Sequence, residues 1–506
     1  MHATYLSSDK YARFSAYVLF GVSLIALFGS IIFSPSLILA VVFGVAILVL
    51  SFMRPTWSLA LLLFYLPFEP FLLKWIPDDI YLYTRYFSEL LIYLLVAVVL
   101  WKMISGQIKW RQSPIDILFI LFLLVLLASA IMNFVPPTYA ILGIRQIIRF
   151  MLLFFVTLYL QPTTKWIKIL LYTLFAIIGF EVFLGVAQVF FGEMLDSFLL
   201  PSQARSFGEI QLTSGTVQFW DHGQRIFGTL GRYDRLGTFM AFFMLILVSL
   251  LYEPKIKKYR SLFIFLLALS VPVLAMTYSR SAWFGFVLGA LFITILIKKD
   301  KRVMWSVGIA IAVILGYLAV SGLIVSNLWD VGDQTIIERF FEAFSYERWR
   351  GEYYGLGRMY WIVQTLITVV PSAFLFGHGP ATFGGGAVSA LGNTSVYDKL
   401  GLPFGVYGTD GYIDNNWFSL WGESGTVGFI LYISMYVILF LLCLNVYWKS
   451  KKAFTRALAL GVAGAMLAVC LNAFLATFLE VRTLAPYLWV FTALVIVLGQ
   501  REKIIE

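Results

Sequence analysis

The chain has 506 residues, of which 61% are hydrophobic and 18% aromatic, while only 13% are charged. So few charged residues cannot cover the surface of a water-soluble protein, and the composition excludes that class. The formal net charge is +10, which in a soluble protein would suggest a nucleic-acid partner. We predict instead an all-α, polytopic membrane protein whose partner is the lipid bilayer and which binds no nucleic acid.

Apolar segments recur along the chain, and each is about long enough to cross ~30 Å of hydrocarbon as a helix. We predict about fourteen such spans on this criterion. Pro67 and Pro70 interrupt the third one. The spans comprise residues 16–33, 37–53, 57–75, 88–103, 115–133, 141–160, 166–190, 236–252, 262–277, 281–297, 303–323, 425–448, 457–478 and 485–498.

The basic residues lie in alternate connections between these spans, and Lys and Arg are retained on the cytoplasmic side of a membrane. We therefore predict a multi-pass protein with both termini in the cytoplasm. Residues 1–191 contain spans 1–7, residues 235–324 spans 8–11 and residues 416–506 spans 12–14. An outward loop at residues 192–234 and a large outward loop at residues 325–415 connect them.

The large loop contains apolar residues at helical spacing, namely Ile336, Ile337, Phe340, Phe341 and Phe344. This pattern predicts a short amphipathic helix. Such a helix either lies on the membrane surface as a lid or packs on the helices below it. A second apolar piece, after Arg358, is too short to span a bilayer comfortably, and we expect a partly inserted helix there.

Metal chemistry has no support in the sequence. Both cysteines, Cys443 and Cys470, fall within predicted spans, where small apolar packing is their usual role. The three histidines, His2, His222 and His378, form no cluster with them. We predict neither a metal nor another cofactor.

Residues 414–428 carry the most informative pattern in the chain. Asp414 and Asn415 stand where the large loop re-enters an apolar segment, and Glu423 lies within that segment. Charge in such a position is costly and is therefore usually functional.

At this point the chain resembles the O-antigen ligase and O-antigen polymerase family of bacterial envelope glycosyltransferases. The blocks that carry the resemblance are residues 225–239, residues 277–283, Arg358 with residues 371–383, and residues 414–428. The family's ligases have a histidine before the asparagine of the last block, whereas Asp414 stands there in this chain. The resemblance therefore favours a polymerase-like member.

The resemblance implies a metal-independent glycosyltransferase of the cytoplasmic (inner) membrane that makes a surface polysaccharide such as O-antigen. Its donor would be an oligosaccharide linked to undecaprenyl diphosphate, and its acceptor a hydroxyl of a glycan or glycolipid on the outer side. A chain-length regulator is a candidate further partner. One alternative is an O-antigen ligase that attaches finished glycan to lipid A-core. From other classes, a polysaccharide flippase or transporter and a peptidoglycan polymerase share the many-span design.

Arginine is the best protein ligand for a diphosphate, because its planar fork matches phosphate oxygens and stays charged. We expect several arginines to converge on the leaving group and stabilise its charge. Structural alternatives are ion pairs of Arg145 or Arg149 with Glu181 and of Arg358 with Glu352, and snorkelling of Arg280. The candidates are Arg145, Arg149, Arg225, Arg232, Arg235, Arg280 and Arg358.

Activation of the acceptor requires a general base within hydrogen-bond reach of its hydroxyl. We predict that Asp414 is this base and that Asn415 orients a sugar or phosphate oxygen. Either residue could instead cap the following helix. His378 is a second candidate base, Asp410 is a weaker substitute for Asp414, and Glu423 is expected to clamp one of the arginines.

Aromatic side chains can stack on sugars, although membrane proteins also place them at interfaces. The candidate glycan platforms are Tyr353, Tyr354, Trp361, Tyr407, Tyr412 and Trp417.

Overall fold

The computed structural model describes residues 21, 34–201, 205–207, 210–213, 222–254, 259–328 and 334–505. These residues are largely helical. They divide into two compact units, Met1–Trp110 with Leu200–Val217, and Arg111–Leu199 with Gln218–Glu506. The sequence-based divisions separate runs of spans from loops, and they do not mark the limits of these units.

The first unit contains five α-helices and a short antiparallel hairpin among its described residues. Pro67 and Pro70 account for its main irregularity, because the predicted span 57–75 is two helical pieces bent by 73°. The elements are α1 (Pro35–Met53), α2 (Pro55–Tyr65), α3 (Glu69–Leu72) with the 3₁₀ turn Leu73–Trp75, α4 (Asp78–Arg85), α5 (Phe87–Ile104), β1 (Arg205–Phe207) and β2 (Ile210–Thr213).

The second unit contains the remaining helices and all of the predicted site residues. Its long helices are α6 (Asp116–Met132), α7 (Pro137–Ile148), α8 (Met151–Leu160), α9 (Thr164–Phe191), α11 (Tyr233–Leu251), α12 (Arg260–Met276), α13 (Arg280–Leu291), α14 (Lys301–Ser326), α21 (Asn416–Lys449), α22 (Ala453–Leu475) and α23 (Ala485–Arg501). Its short helices are α10 (Glu193–Leu199), α15 (Ile336–Phe341), α16 (Tyr346–Tyr354), α17 (Arg358–Gln364), α18 (Val370–Ser372), α19 (Gly386–Leu391) and α20 (Ser395–Leu400). Segments Gly228–Leu230, Glu342–Phe344, Val406–Gly408 and Phe478–Glu480 are 3₁₀ turns, and Phe292–Ile297 and Thr365–Val369 are π-helical.

The core of this unit surrounds α11, which packs on α13 and α22. Glycines allow close approach of these helices. A Cβ on Gly289 would lie 2.6 Å from the Gly464 carbonyl oxygen, and one on Gly461 would lie 2.7 Å from the Ile246 Cα. Small residues at helix crossings are typical of membrane bundles, where close van der Waals packing drives association.

Helix α14 has the opposite environment. The most apolar part of this 26-residue helix contains no buried residue, and large apolar side chains such as Trp305, Val320 and Leu323 are exposed. A water-soluble protein does not expose so much apolar surface. The helix therefore requires a hydrocarbon solvent, and the protein is a membrane protein.

Eight of the described helices are long and apolar enough to cross a membrane, or ten if each of two bent pairs is one span. The second pair is α7 with α8, bent by 55°. Helices α6, α12 and α23 are apolar but shorter. Every predicted span from residue 37 onwards coincides with a helix or a bent pair, and the first, 16–33, falls outside the described residues apart from Gly21. The total of fourteen spans is not confirmed.

The predicted large loop contains short helices, as expected. Helix α15 begins with a capping box, in which Thr335 and Glu338 each bond the other's backbone N–H. Phe341 packs on Tyr317 with ring centroids 4.4 Å apart, whereas Ile337 on the other face is 65% exposed. The helix therefore packs on α14 with one face and leaves the other available to a membrane surface.

The glycine contacts generate a stability prediction. We expect Gly289→Ala to destabilise the protein by roughly 1–3 kcal/mol, because its Cβ would overpack the crossing with α22. Gly316→Ala, on exposed α14 with no atom within 4 Å of the new Cβ, is the matched control and should be neutral or stabilising. Thermal unfolding of both variants in detergent measures the difference, and equal midpoints would contradict the packing.

Candidate functional site

The site is built around an ion pair between Arg358 and Asp414. Arg358 is the first residue of α17, and its Nη2 and Nε donate to Asp414 Oδ2 at 3.1 and 3.3 Å. The side chains are 40% and 33% exposed. A partly open pair of this kind can exchange its internal hydrogen bonds for bonds to a ligand.

The backbone explains why these two side chains meet. Asp414 has a left-handed φ of +51°, which turns the chain just before α21 begins. Asn415 is the N-cap of that helix, because its Oδ1 accepts from Phe418 N at 3.0 Å. Capping therefore falls to Asn415 and leaves the Asp414 carboxylate for Arg358. Glu352 Oε2 accepts from Arg358 backbone N at 2.9 Å, so Glu352 fixes the start of α17 while the guanidinium pairs elsewhere.

Two further arginines approach from the start of α11. Arg232 pairs with Asp234 at 3.0 Å and is 52% exposed. The Asp234 carboxylate, and more weakly Asp414, raise the pKa of Arg232. The charges of Arg232 and Asp234 act on Arg235 in turn. The Asp414 region is therefore connected to α11 as well as to α17.

On the other side, three arginines surround one buried carboxylate. Glu342 lies in the 3₁₀ turn after α15 and has no exposed surface. Arg339 Nη1 is 2.8 Å from its Oε2, and Arg280 Nη1 and Arg348 Nη1 are each 3.2 Å from its Oε1. Arg348 also pairs with Glu352. The positive charges of Arg358 and Arg280 repel each other. This interaction connects the arginines around Glu342 to the Arg358–Asp414 pair.

Together these groups form what we call the arginine cluster, which comprises Arg232, Arg235, Arg280, Arg339, Arg348 and Arg358. Its acidic partners are Asp234, Glu342, Glu352 and Asp414. Among the residues that the structure describes, six guanidinium groups thus face these four carboxylates. Positive charge that exceeds its local partners favours an anionic ligand, because the ligand supplies the missing neutralisation.

The convergence predicted from the sequence is present for Arg232, Arg235, Arg280, Arg358 and Asp414. Arg225 lies next to this group, with its guanidinium carbon 5.2 Å from the centre of the Tyr233 ring and 6.0 Å from that of Tyr278.

Arg145 and Arg149 belong to a different neighbourhood. Arg149 Nη2 donates to the Glu480 carbonyl oxygen at 2.9 Å, in the turn between α22 and α23. The expected alternative partner, Glu181, accepts instead from Thr229 N at 3.1 Å and from the Thr229 hydroxyl. Glu181 therefore anchors the 3₁₀ turn Gly228–Leu230 to α9.

Glu480 is the centre of a second polar group. Its Oε2 accepts from Gln146 Nε2 at 2.9 Å and Gly386 N at 3.0 Å, and its Oε1 from Asn416 Nδ2 at 3.3 Å. Burial raises its pKa. A small pocket lies between Asn416, Ser419, Glu423 and Glu480. Glu480 thus joins α7, α19 and the first turn of α21.

Contrary to expectation, Glu423 forms no ion pair with an arginine in the part of the chain that the structure describes, and backbone groups are its partners. Its Oε1 accepts from the backbone N–H groups of Thr382 and Phe383 at 3.2 and 3.3 Å. The surrounding backbone fits closely, because a Cβ on Gly425 would lie 2.3 Å from the Leu375 carbonyl oxygen and one on Gly377 would lie 2.4 Å from Gly425 N. Glu423 and these glycines lock the glycine-containing turn at residues 371–383 onto α21.

His378 lies inside that turn. Its Nε2 is 2.9 Å from Ser372 Oγ and 3.2 Å from the Val369 carbonyl oxygen, and its side chain is buried. Burial lowers its pKa, so the ring is neutral near pH 7. These surroundings are those of a structural histidine rather than of a ligand-binding one.

The candidate aromatic platforms separate into buried and exposed groups. Trp361 is fully buried against Phe383 and Tyr397, and Trp417 Nε1 donates to the Cys470 carbonyl oxygen. Tyr354 and Tyr407 are 75% and 61% exposed. Tyr353 and Tyr412 are partly exposed, so Tyr354 and Tyr407 offer the largest surfaces to a sugar.

The side-chain amide of Asn415 has a hydrogen-bond donor that its capping role does not use. Its Nδ2 is buried and makes no hydrogen bond to any residue that the structure describes. A buried donor of this kind costs free energy unless it finds an acceptor. It can therefore bond a ligand oxygen beside Asp414 while Oδ1 continues to cap α21.

The sequence-based interpretation missed Arg339, Glu342 and Arg348 in the arginine cluster, and Gln146 and Glu480 in the second group. A signal existed for the first set, since Arg339 and Glu342 are three apart and Arg348 and Glu352 four apart, both helical pairing distances. The pairing of Glu342 with Arg280 crosses 62 positions, which no local pattern reveals.

Within the described residues, no group of three or more His, Cys, Asp or Glu side chains could hold a metal ion. The chain matches no protein-family model and no curated protein sequence.

The arginine cluster generates a second stability prediction. We expect Glu342→Gln to destabilise the protein by roughly 3–5 kcal/mol, because three buried guanidinium groups lose their shared counter-charge. Glu347→Gln is the matched control, since Glu347 pairs with Arg350 at 3.4 Å on the surface and such pairs contribute about 0–1 kcal/mol. Unfolding midpoints of both variants provide the measurement. Equal midpoints would show that Glu342 does not hold the cluster together.

Proposed function

We propose that this protein is a membrane glycosyltransferase that polymerises oligosaccharide units carried on undecaprenyl diphosphate, on the outer side of the cytoplasmic membrane. The observation that carries the proposal is the partly open Arg358–Asp414 pair, which adjoins the other arginines of the cluster. It supports three requirements of the reaction, namely binding of a diphosphate, activation of a hydroxyl and access from a lipid phase.

The diphosphate of the donor binds the exposed guanidinium groups, Arg358 and Arg232. Arginine forks bind phosphate oxygens in pairs, and these bonds strengthen as the departing diphosphate gains charge. The deeper arginines around Glu342 contribute electrostatically and keep the site positive. Such stabilisation needs no metal, because fixed guanidinium groups supply the positive charge.

Asp414 acts on the acceptor. Once phosphate oxygens bind Arg358, the Asp414 carboxylate is free to accept a hydrogen bond from the acceptor hydroxyl. The hydroxyl oxygen attacks the anomeric carbon of the donor, its proton passes to Asp414, and the bond from that carbon to the diphosphate oxygen breaks. Undecaprenyl diphosphate leaves with the bonding electron pair. Asn415 Nδ2 bonds a sugar or phosphate oxygen during this step.

The position of the cluster at helix ends also suits a donor that enters from the lipid phase. The donor's polyprenyl chain is apolar and must lie in hydrocarbon, while its diphosphate must reach charged side chains at the ends of helices. Arg280 and Arg232 stand at the starts of α13 and α11, both of which are long and apolar enough to span a membrane when α13 is taken with its π-helical end.

The experiment that tests the function is incubation of the purified full-length protein in nanodiscs with lipid-linked repeat units alone. The expected product is a ladder of longer lipid-linked glycans. Consumption of donor only after addition of a lipid A-core acceptor would instead indicate a ligase. Movement of intact lipid-linked units across a vesicle bilayer without any new glycosidic bond would indicate a flippase or transporter and would contradict the proposal.

The general-base role of Asp414 gives a kinetic prediction. We expect Asp414→Asn to lower kcat roughly 10²–10⁴-fold, the usual contribution of a positioned general base. Asp410→Asn is the matched control, because Asp410 lies in the same loop and its Oδ1 accepts only a long bond of 3.4 Å from Tyr412 N. Full turnover by the Asp414 variant would exclude the role.

The proposed binding of the diphosphate by Arg358 gives a second kinetic prediction. Arg358→Lys keeps the charge but removes the planar fork, and we expect kcat/KM to fall about 10–100-fold. Arg350→Lys, at an exposed arginine outside the cluster, should change it less than about twofold. The same loss in both variants would indicate a general charge effect rather than diphosphate binding at Arg358.

A further inference from the structure

The loop that leads to Asp414 holds one residue in an unexpected conformation. Tyr407 has a left-handed φ of +56°, while the other positions of positive φ between residues 401 and 411 are Gly401, Gly405, Gly408 and Gly411. Glycine adopts this conformation without strain, but a bulky side chain does so rarely. The loop therefore retains a tyrosine where glycine would be the easier choice.

The surrounding backbone enforces this conformation. Tyr407 N donates to the Leu356 carbonyl oxygen at 3.0 Å, and Val406 N donates to the Tyr412 carbonyl oxygen at 2.6 Å. Leu356 itself has a φ of +60° and precedes Arg358 by two positions. The loop is thus fixed to the segment from which the site's central arginine extends.

The Tyr407 side chain nevertheless contributes little to the core, because it is 61% exposed. Its hydroxyl feels the charges of Glu352, Arg348, Arg358 and Asp414. The backbone bond to Leu356, two positions before Arg358, thus fixes an exposed aromatic ring on the segment that leads into the Arg358–Asp414 pair. Strained residues that persist in this way cluster at ligand-binding sites.

We propose that Tyr407 is the stacking platform for the acceptor saccharide, and that it sets the sugar ring so that the reacting hydroxyl faces Asp414. The proposal rests on the glycosyltransferase function above and deepens it. A tyrosine ring is rigid and has an electron-rich face, which attracts the positively polarised C–H groups on one face of a sugar. Its hydroxyl bonds sugar oxygens at the edge of the ring.

The neighbouring groups favour a saccharide over other occupants. A polyprenyl chain gains nothing from the four charged side chains near the Tyr407 hydroxyl, because burying apolar groups there would desolvate them. A diphosphate binds the guanidinium groups, but it has no apolar face that could lie on the Tyr407 ring. A saccharide has both an apolar face for the ring and hydroxyls for the charged groups.

The test uses the full-length protein in detergent with three variants. Tyr407→Gly removes the ring and relieves the left-handed strain, Tyr407→Phe keeps the ring, and Tyr83→Ala removes a similarly exposed tyrosine (62%) from the other compact unit. The probe is the oligosaccharide repeat unit released from the surface polysaccharide of the source cell. The readouts are its Kd by calorimetry, the thermal unfolding midpoint, and KM and kcat in the ladder assay.

We expect Tyr407→Gly to unfold at the same temperature as the wild type or higher. Its Kd for the oligosaccharide and its acceptor KM should rise about tenfold while kcat changes less. Tyr407→Phe should stay within about threefold of the wild type, and Tyr83→Ala should match it. A purely structural role would instead lower the unfolding midpoint and leave the Kd unchanged.

The two proposals fail in different ways. If the wild type forms a ladder, and Tyr407→Gly binds the oligosaccharide and elongates lipid-linked units equally well, Tyr407 is not the stacking platform. The proposed glycosyltransferase function is then unaffected. If the wild type neither elongates lipid-linked units nor binds the oligosaccharide, the proposed glycosyltransferase function is wrong. The proposed role of Tyr407 is then wrong as well.

Discussion

Repulsion among guanidinium groups is the constraint that organises this protein. Six arginines come from the starts of apolar helices and from short helices of the large loop, and the low dielectric of a buried site strengthens every interaction between their charges. Glu342 holds three of them, Asp234 pairs with Arg232, and Asp414 pairs with Arg358. The deep part of the cluster is thereby fixed, while Arg358 and Arg232 stay partly exposed. An anion that binds Arg358 and Arg232 adds negative charge to that of the four carboxylates and reduces the repulsion among the arginines.

The packing of the apolar helices brings together, at the helix ends, segments that lie far apart in the sequence. The arginine cluster forms there. Helices α11, α13, α17 and α21 each begin close to a residue of the site. The interlocked glycines Gly377 and Gly425 fix the turn beside α21, and Glu423 bonds its backbone. Groups that must stabilise a transition state act best when they are held in advance, since no free energy is then lost in moving them.

The sequence predicted the helices well because length and apolar composition determine them locally. It located the bend after Tyr65 through Pro67 and Pro70, but it gave no sign of the 55° bend between α7 and α8, where residues 149 and 150 carry no helix-breaking type. In the site, the arginines that precede spans and Asp414 were predicted from chemistry. Glu342 and Glu480 were missed, because their partners lie far along the chain and only the tertiary fold brings them together. Arg149 was predicted to bind the diphosphate, yet it follows the end of α7 and donates to the turn that contains Glu480.

The central claim is that the arginine cluster binds the diphosphate of a lipid-linked donor. The most direct measurement is the unfolding midpoint of the purified full-length protein in nanodiscs, titrated in parallel with undecaprenyl diphosphate and with uncharged undecaprenol. A ligand that binds the native state raises the midpoint in a saturable way. We predict saturable stabilisation by the diphosphate, weakened by added salt and by Arg358→Ala, and none specific to undecaprenol. Equal stabilisation by both lipids would contradict the account, because the recognition would then reside in the hydrocarbon chain alone.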